Sequence, residues 1–306
     1  MPQYFDGRTG LPICDSNALP LAGALPSRDD LDRAIAPLIL SASGWRKIFA
    51  SSGDEEDAKG EIGQANAVLA CHMADAFANY VMERSGKKNP IVALALDSRP
   101  TGPAIADILL RVLLARGVEV RYAFIASAPE IMAYARGVDA FAYVSASHNP
   151  IGHNGVKFGL SDGGVIPGSE AAILIAAYKK AILAPDAALR AKTLLDACPT
   201  DALEWTLGRV DATKGDTLEA YRAFTREVVS GMPDAARQDA FFRELSLASA
   251  AESRAGRPVS LVADFNGSAR ATSIDRAFFE SMGMCLSGMH EKARDIAHRI
   301  VPEGES

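Results

Sequence analysis

A chain of 306 residues, 48% hydrophobic and 23% charged, has the balance of a folded globular protein and the length of two domains, which excludes a disordered or fibrous chain. Its 32 basic and 38 acidic residues give a formal net charge of -6 with no run of five basic residues, so neither a nucleic-acid nor a membrane partner is expected. The longest apolar runs fall far short of the roughly 20 residues that span a bilayer, and Cys14, Cys71, Cys198 and Cys285 show no CxxC spacing, which excludes a disulfide framework or a thiolate zinc site.

The N-terminal segment carries Asp6, Arg8, Asp15 and Asn17 where a signal peptide would be apolar, so a cytoplasmic location is expected. The acidic run GDEEDAKGE at 53–61 lacks the alternation of a calcium loop and reads as a solvated turn. Cys71, Met73 and Phe77 fall on one face of a helical pattern at 62–84. IVALAL at 91–96 reads as a strand, and Pro103 opens a helix with Ile105, Ile108, Leu109, Val112 and Leu113 at helical spacing, closed by Gly117. A strand at 118–125, a short helix at 129–137 and a strand at 140–144 follow.

Beyond the loop at 145–154, GVKFG and GVIPG read as a hairpin turning at Asp162 and Gly163. A helix at 169–183 precedes a connection at 184–215, helices at 217–230 and 234–255, a strand ending in VADFNG, and a helix at 268–282. Strands alternating with helices predict an α/β fold of mixed, largely parallel sheets covered by helices. Ligands in such sheets collect beyond the carboxyl ends of strands, where LDSR (96–99) and SASHNP (145–150) both lie. The second α/β unit has too few strands to cover both faces of a sheet, and the chain runs out in the polar VPEGES. It is expected to stop inside its second domain and to expose an apolar face there.

The loop SASHNPIGHNGVKFG carries the chemistry. Ser147 is a weak nucleophile without an activating neighbour. His148 beside it does not make a hydrolase pair, because adjacent side chains point apart, and the GxSxG elbow is missing. A metal-independent serine hydrolase would need a distant His and Asp that cannot be identified. Small neighbours and Gly152 and Gly155 instead allow backbone N–H groups to approach an anion. Asn149 and Asn154 add short donors, and Lys157 adds a point charge from the next strand. His153 is assigned no role. His290 and His298 stand eight residues apart rather than the four of a helical zinc pair, so no metal site is expected from them.

The loop resembles the phosphoserine segment of the α-D-phosphohexomutases, the family of phosphoglucomutase and phosphomannomutase, whose pattern is close to S/T-x-SHNP-xxx-NG-x-K. SASGWRKIF at 41–49 resembles that family's TSGxRG segment, LDSRPTG at 96–102 its GxDxRxSG segment, and LVADFNGSARATSID, more loosely, the start of its second domain. The resemblance implies a phosphohexomutase-like domain 1 at 1–205 and an incomplete domain 2 at 206–306. It implies a cytoplasmic enzyme that moves a phosphoryl group between O1 and O6 of a hexose phosphate. The group would pass through phospho-Ser147, with Mg2+ and a hexose 1,6-bisphosphate intermediate.

In that reading Ser147 carries the phosphoryl group, His148 orients substrate or phosphate, and Lys157 is a positive charge or general acid/base. Arg46 is a second cation. Ser43, Gly44, Asn149 and Asn154 line the phosphate or substrate loop, while Asp97 and Arg99 position it. Magnesium would meet the phosphate on Ser147. Lys47 departs from the family glycine after the arginine, and the DGDxDR, GExSG and RxSGTEP-like segments are absent from the 306 residues. The chain is therefore expected to be an inactive N-terminal fragment. The alternative is a non-catalytic phosphosugar-binding or regulatory protein that retains the serine loop. The preferred hexose and the oligomeric state have no signal in the sequence.

Overall fold

The computed structural model describes residues 3–298; the polar end at 301–306 lies outside them. A small antiparallel pair, β1 (Gln3–Phe5) and β2 (Pro12–Asp15), leads to α1 (Arg28–Ile35), which Ser27 and Asp30 start with a reciprocal capping box. Then come β3 (Ile39–Ser41), β4 (Gly44–Ile48) and α2 (Gly63–Ser85), whose end is set by Gly86 in the left-handed region at φ 64°. The alternating part is β5 (Ile91–Leu96), α3 (Gly102–Ala115), β6 (Glu119–Ile125), α4 (Ala128–Ala135), β7 (Ala140–Val144) and β8 (His153–Leu160).

These strands form a six-stranded sheet in the order β3-β4-β8-β7-β5-β6. The sheet is mixed, as expected, but not largely parallel: three of its five pairings are antiparallel. Its parallel part is confined to β7-β5-β6, and the pairings of β3, β4 and β8 are antiparallel. The chain steps outward from β5 to β6 through α3, then back past β5 to β7 through α4. Right-handed crossovers in opposite directions must use opposite faces of a sheet, so α3 and α4 cover different sides.

Alternation along β5 shows both faces buried. Val92, Leu94 and Leu96 join the core under α2 and α3, whereas Ala93 and Ala95 join Ile131, Ala135, Phe141 and Tyr143 under α4. The carboxyl ends of β5 and β7 thereby deliver Asp97 and Ser145 to one edge of the sheet.

Several expected elements differ in detail. GVIPG at 164–168 is not a strand but a single bridge, Gly159 to Val165, because Gly163 and Gly164 turn the chain back immediately after β8. The stretch at 184–215 is not a loose connection. After α5 (Gly168–Ile182) it forms α6 (Ala187–Asp196), α7 (Thr200–Leu207) and the start of α8 (Val210–Ser230), with Ala187, Ala191, Leu195, Leu203 and Leu207 entering the core. Helical spacing of small residues, which periodicity scarcely registers, supplies that face.

The second unit consists of α9 (Ala235–Arg254), the parallel pair β9 (Ser260–Asp264) and β10 (Cys285–Met289), and α10 (Asp275–Ser281) between them. The helix expected at 268–282 is split. A 3-10 turn at Ala269–Thr272 comes first, and Ser273 is extended. Phe242, Phe278 and Met282 pack with Tyr221 of α8 and Ala133 of α4, while Val262 is 75% exposed on the open face of the pair, which agrees with the expected apolar exposure.

A buried brace joins the two units. Glu130 in α4 accepts from Lys214 Nζ at 2.6 Å and Thr217 Oγ1 at 2.7 Å in α8, and its second oxygen accepts from Ser273 at 3.2 Å. Both charged side chains are essentially inaccessible. Burial lowers the Lys214 pKa, opposed by the neighbouring carboxylate.

Candidate active site

Ser147 sits at the tip of the loop between β7 and β8 with φ 57°, a left-handed conformation uncommon for a residue with a Cβ. The loop is held from beneath by one side chain. Arg99, 6% exposed, donates to the carbonyls of Ser147 (3.0 Å), Asn149, Pro150 and His153 (3.3 Å). A guanidinium has five N–H donors in a rigid fork, and the two terminal nitrogens of Arg99 serve four backbone acceptors. Asp97 accepts from the Arg99 backbone at 3.0 Å and faces its guanidinium at 3.3 Å. Burial raises the Asp97 pKa; Arg99, Ser145 and Ala146 oppose that shift.

Lys157 lies on β8, ten residues past the serine, and its Nζ donates to Ser147 Oγ at 2.9 Å. Burial lowers its pKa, while Asp97 raises it and Arg46 lowers it further. Strand register brings Arg46 here. It pairs with Gly155 across the antiparallel β4 and β8, and opposed residues in such a pair project to one face. Gly155 and Lys157, two apart, share that face. A Cβ at Gly155 would lie 2.3 Å from the Trp45 carbonyl oxygen and 2.9 Å from Arg46 Cβ, so only glycine lets the strands approach this closely. Gly44, at φ 145°, comes within 3.1 Å of the Lys157 stem in the same sense. Lys47 turns to the opposite, buried side. It donates to Ala34 O at 2.8 Å and Asn66 Oδ1 at 2.7 Å, and burial pulls its pKa down to about 8.

The other expected residues separate into two groups. Asn149 binds back to Ala146 O at 2.6 Å and shapes the loop. Asn154 is fully buried; its amide donates to Thr101 Oγ1 at 3.0 Å and its oxygen accepts from Gly155 N, which ties the loop to the start of α3. His148 is exposed, and Ser43 is exposed with its hydroxyl 3.0 Å from Ser41 Oγ.

A cleft of about 950 Å³ opens over Ser147, Asn149, Lys157, Asp97 and Arg99, and its far wall comes from the second unit. Sequence reasoning missed that wall, which includes Asn266, Arg270, Arg294 and His298. Arg270 is paired with Asp275. Arg294, at φ 74°, donates through Nε to Ser98 O at 3.2 Å, while its buried Nη2 has no partner among the described residues and burial lowers its pKa. No spacing rule marks these side chains, because a long loop delivers them; the Asn266-Gly267 turn was the one visible signal.

Magnesium, which the resemblance implies, takes about six oxygen ligands in near-octahedral order. The oxygens around Ser147 do not meet that demand. Four loop carbonyls and the Asp97 carboxylate are engaged by Arg99, and Ser147 Oγ is bonded to Lys157. Among the described residues the loop by itself forms no magnesium site.

Residues 50–184 match the model of phosphoglucomutase/phosphomannomutase, alpha/beta/alpha domain I. That span includes Asp97, Arg99, Ser147, His148 and Lys157, whereas Ser43, Gly44 and Arg46 precede it. The phosphoglucosamine mutase of Listeria welshimeri is 35% identical over 109 residues, covering 34% of this chain and 24% of that protein. The phosphoglucosamine mutase of Lacticaseibacillus casei is 35% identical over 112 residues, covering 34% and 25%. A solved phosphoglucomutase/phosphomannomutase family protein from Burkholderia thailandensis superposes with a TM-score of 0.48 at 20% identity, over 85% of this chain and 46% of that one. The matched part spans about a quarter of the length of these curated relatives. Over residues 50–184, the span that holds Ser147, the chain is similar to domain I of the phosphoglucomutase/phosphomannomutase family.

Proposed function

We infer that this chain supplies the phosphoryl-carrying side of a phosphohexomutase, with Ser147 Oγ as the carrier. The observation that carries the reading is the 2.9 Å contact between Lys157 Nζ and Ser147 Oγ at the edge of the cleft. In the proposed forward step the P–Oγ bond of phospho-Ser147 breaks as a sugar hydroxyl forms its own bond to phosphorus. The hydroxyl proton passes to the leaving Oγ, and Lys157 holds that oxygen throughout. In the return step the roles reverse, so the hexose 1,6-bisphosphate rephosphorylates the serine from its other end.

Phosphoryl transfer needs mainly positioning and charge stabilisation. Lys157 and Arg46 provide cations on one face of the sheet, and Arg294 lines the same cleft as Lys157 with an N–H that has no partner among the described residues. Asp97 and Arg99 position the loop without touching substrate, and Asn149 and Asn154 act with them. Exposed His148, with Ser43 and Gly44, is proposed to meet the sugar or its phosphate from the rim.

Hexose phosphates are the proposed substrate class, as the mutase names of the relatives suggest. The 306 residues contain no DGDxDR, GExSG or RxSGTEP-like segment. The division near residue 205 is part of the same proposal. The 306-residue chain is expected to accept a phosphoryl group without turning over a hexose phosphate. Labelled glucose 1,6-bisphosphate tests this. Label should enter the wild-type chain and not Ser147→Ala, with no interconversion of glucose, mannose or glucosamine phosphates. Equal labelling of both proteins removes Ser147 as the carrier, and measurable turnover removes the claim of inactivity.

A further inference from the structure

The end of β9 and the end of β10 lie side by side, with Asp264 opposite Met289 in register. Asp264 and the residue after β10, His290, are therefore brought together at the carboxyl edge of the pair. His290 Nδ1 stands 2.9 Å from Asp264 Oδ1. His298 arrives from the loop that follows, and its Nε2 stands 2.6 Å from Asp264 Oδ2. The two imidazoles meet edge to face with centroids 5.7 Å apart, and one donor atom from each of the three residues lies within 4.8 Å of the others.

The loop is fastened for this purpose by backbone contacts. Asn266 Oδ1 accepts from the N–H groups of Ala297 and His298, both at 2.9 Å, and its amide donates to His298 O at 3.2 Å. Gly267 N donates to His290 O at 3.0 Å and Gly267 O accepts from Arg294 N at 2.8 Å. A Cβ at Gly267 would lie 2.4 Å from Asp295 N, so the two segments close on each other only around a glycine. Asn266, His290 and Arg294 all have positive φ. Three such residues in one clasp store backbone strain, and strain of this kind concentrates at ligand sites.

We propose that Asp264, His290 and His298 form a binding site for one divalent transition-metal ion. Two imidazole nitrogens and one carboxylate oxygen suit Zn2+, Co2+ or Ni2+, whereas Mg2+ and Ca2+ prefer all-oxygen shells. Three protein ligands leave a further coordination position for water, as in open zinc sites. His298 also lines the Ser147 cleft, so the bound ion stiffens the far wall of that cleft. The spacing of eight in sequence hid the pair, because neither histidine is on a helix; a strand end and a returning loop bring them to one carboxylate.

The test is titration of the 306-residue chain with Co2+, followed by visible absorption, then displacement by Zn2+ in a calorimeter. One equivalent should bind, with no thiolate-to-cobalt charge-transfer band in the near ultraviolet, which separates this site from the four cysteines. The His298 side chain is 65% exposed, so His298→Ala should fold normally and bind Co2+ at least about tenfold more weakly. Zn2+ should raise the melting temperature of the wild type and not of His298→Ala. Asp264→Asn is a second check on the same affinity. Absence of binding, a thiolate band, or equal affinity in both variants would overturn the assignment.

Discussion

Lys157 Nζ donates to Ser147 Oγ across 2.9 Å, from a strand that pairs directly with the strand leading into the serine loop. The β7 and β8 register sets this distance, since Tyr143 stands opposite Lys157 just before the loop departs. In the proposed transfer, a charge at this position would stabilise a phosphoryl group on Oγ at no cost in rearrangement.

Replacing that ammonium with an isosteric apolar chain isolates its charge. Lys157→Met should slow phosphoryl entry at Ser147 by about 100-fold while leaving the fold intact, because the Lys157 stem still packs on Gly44. Single-turnover labelling measures the rate, and circular dichroism checks the fold. A rate within a factor of about two of wild type would show that Lys157 has no part in the transfer.

Arg99 should be a stability residue first. Its removal strips donors from four loop carbonyls and leaves Asp97 without its main counter-charge. Arg99→Ala is expected to cost about 3 kcal/mol in denaturant unfolding, and Arg99→Lys should recover little, because an ammonium cannot reproduce the fork.

Much of this arrangement was legible from the chain itself. The alternation at 91–144 identifies the strands and helices, and SHNP with the lysine ten residues on marks the loop. Asp97 and Arg99 could be assigned a positioning role, although the reach of Arg99 to four carbonyls depends on tertiary folding. Asn154 shows the limit of such reading. Its place in the motif suggests contact with phosphate, whereas its buried amide binds Thr101. The far wall of the cleft was illegible, because Arg294 and His298 stand on an irregular loop to which no period applies.

Lys47 predicts a pH effect with a definite sign. Its folded pKa is lowered to about 8 from 10.5, chiefly by burial. Between those values the unfolded chain binds more protons than the folded one, so stability rises with pH across that window. The penalty for the buried charge is fully present below the folded value and relieved above the unfolded one. The wild type should therefore gain up to about 3 kcal/mol relative to Lys47→Met as pH rises through this range. Parallel urea melts of the two proteins measure the difference, and identical pH slopes would contradict it.

The Glu130 and Lys214 brace should be strongly non-additive. Lys214→Met leaves a carboxylate buried without its charge partner and is expected to cost about 3 kcal/mol. Converting Glu130 to Met as well should restore part of that loss, since the double variant buries no charge. A double variant as unstable as the sum of the singles would show that the pair is not coupled.

The most direct test is peptide mass spectrometry on the protein isolated from its native source, aimed at the peptide that spans Ser147 and His148. One phosphoryl group on Ser147, lost in Ser147→Ala, is the predicted result. An unmodified serine that also refuses phosphate from glucose 1,6-bisphosphate, or a phosphoryl group on His148 instead, would contradict the assignment of Ser147 as the carrier.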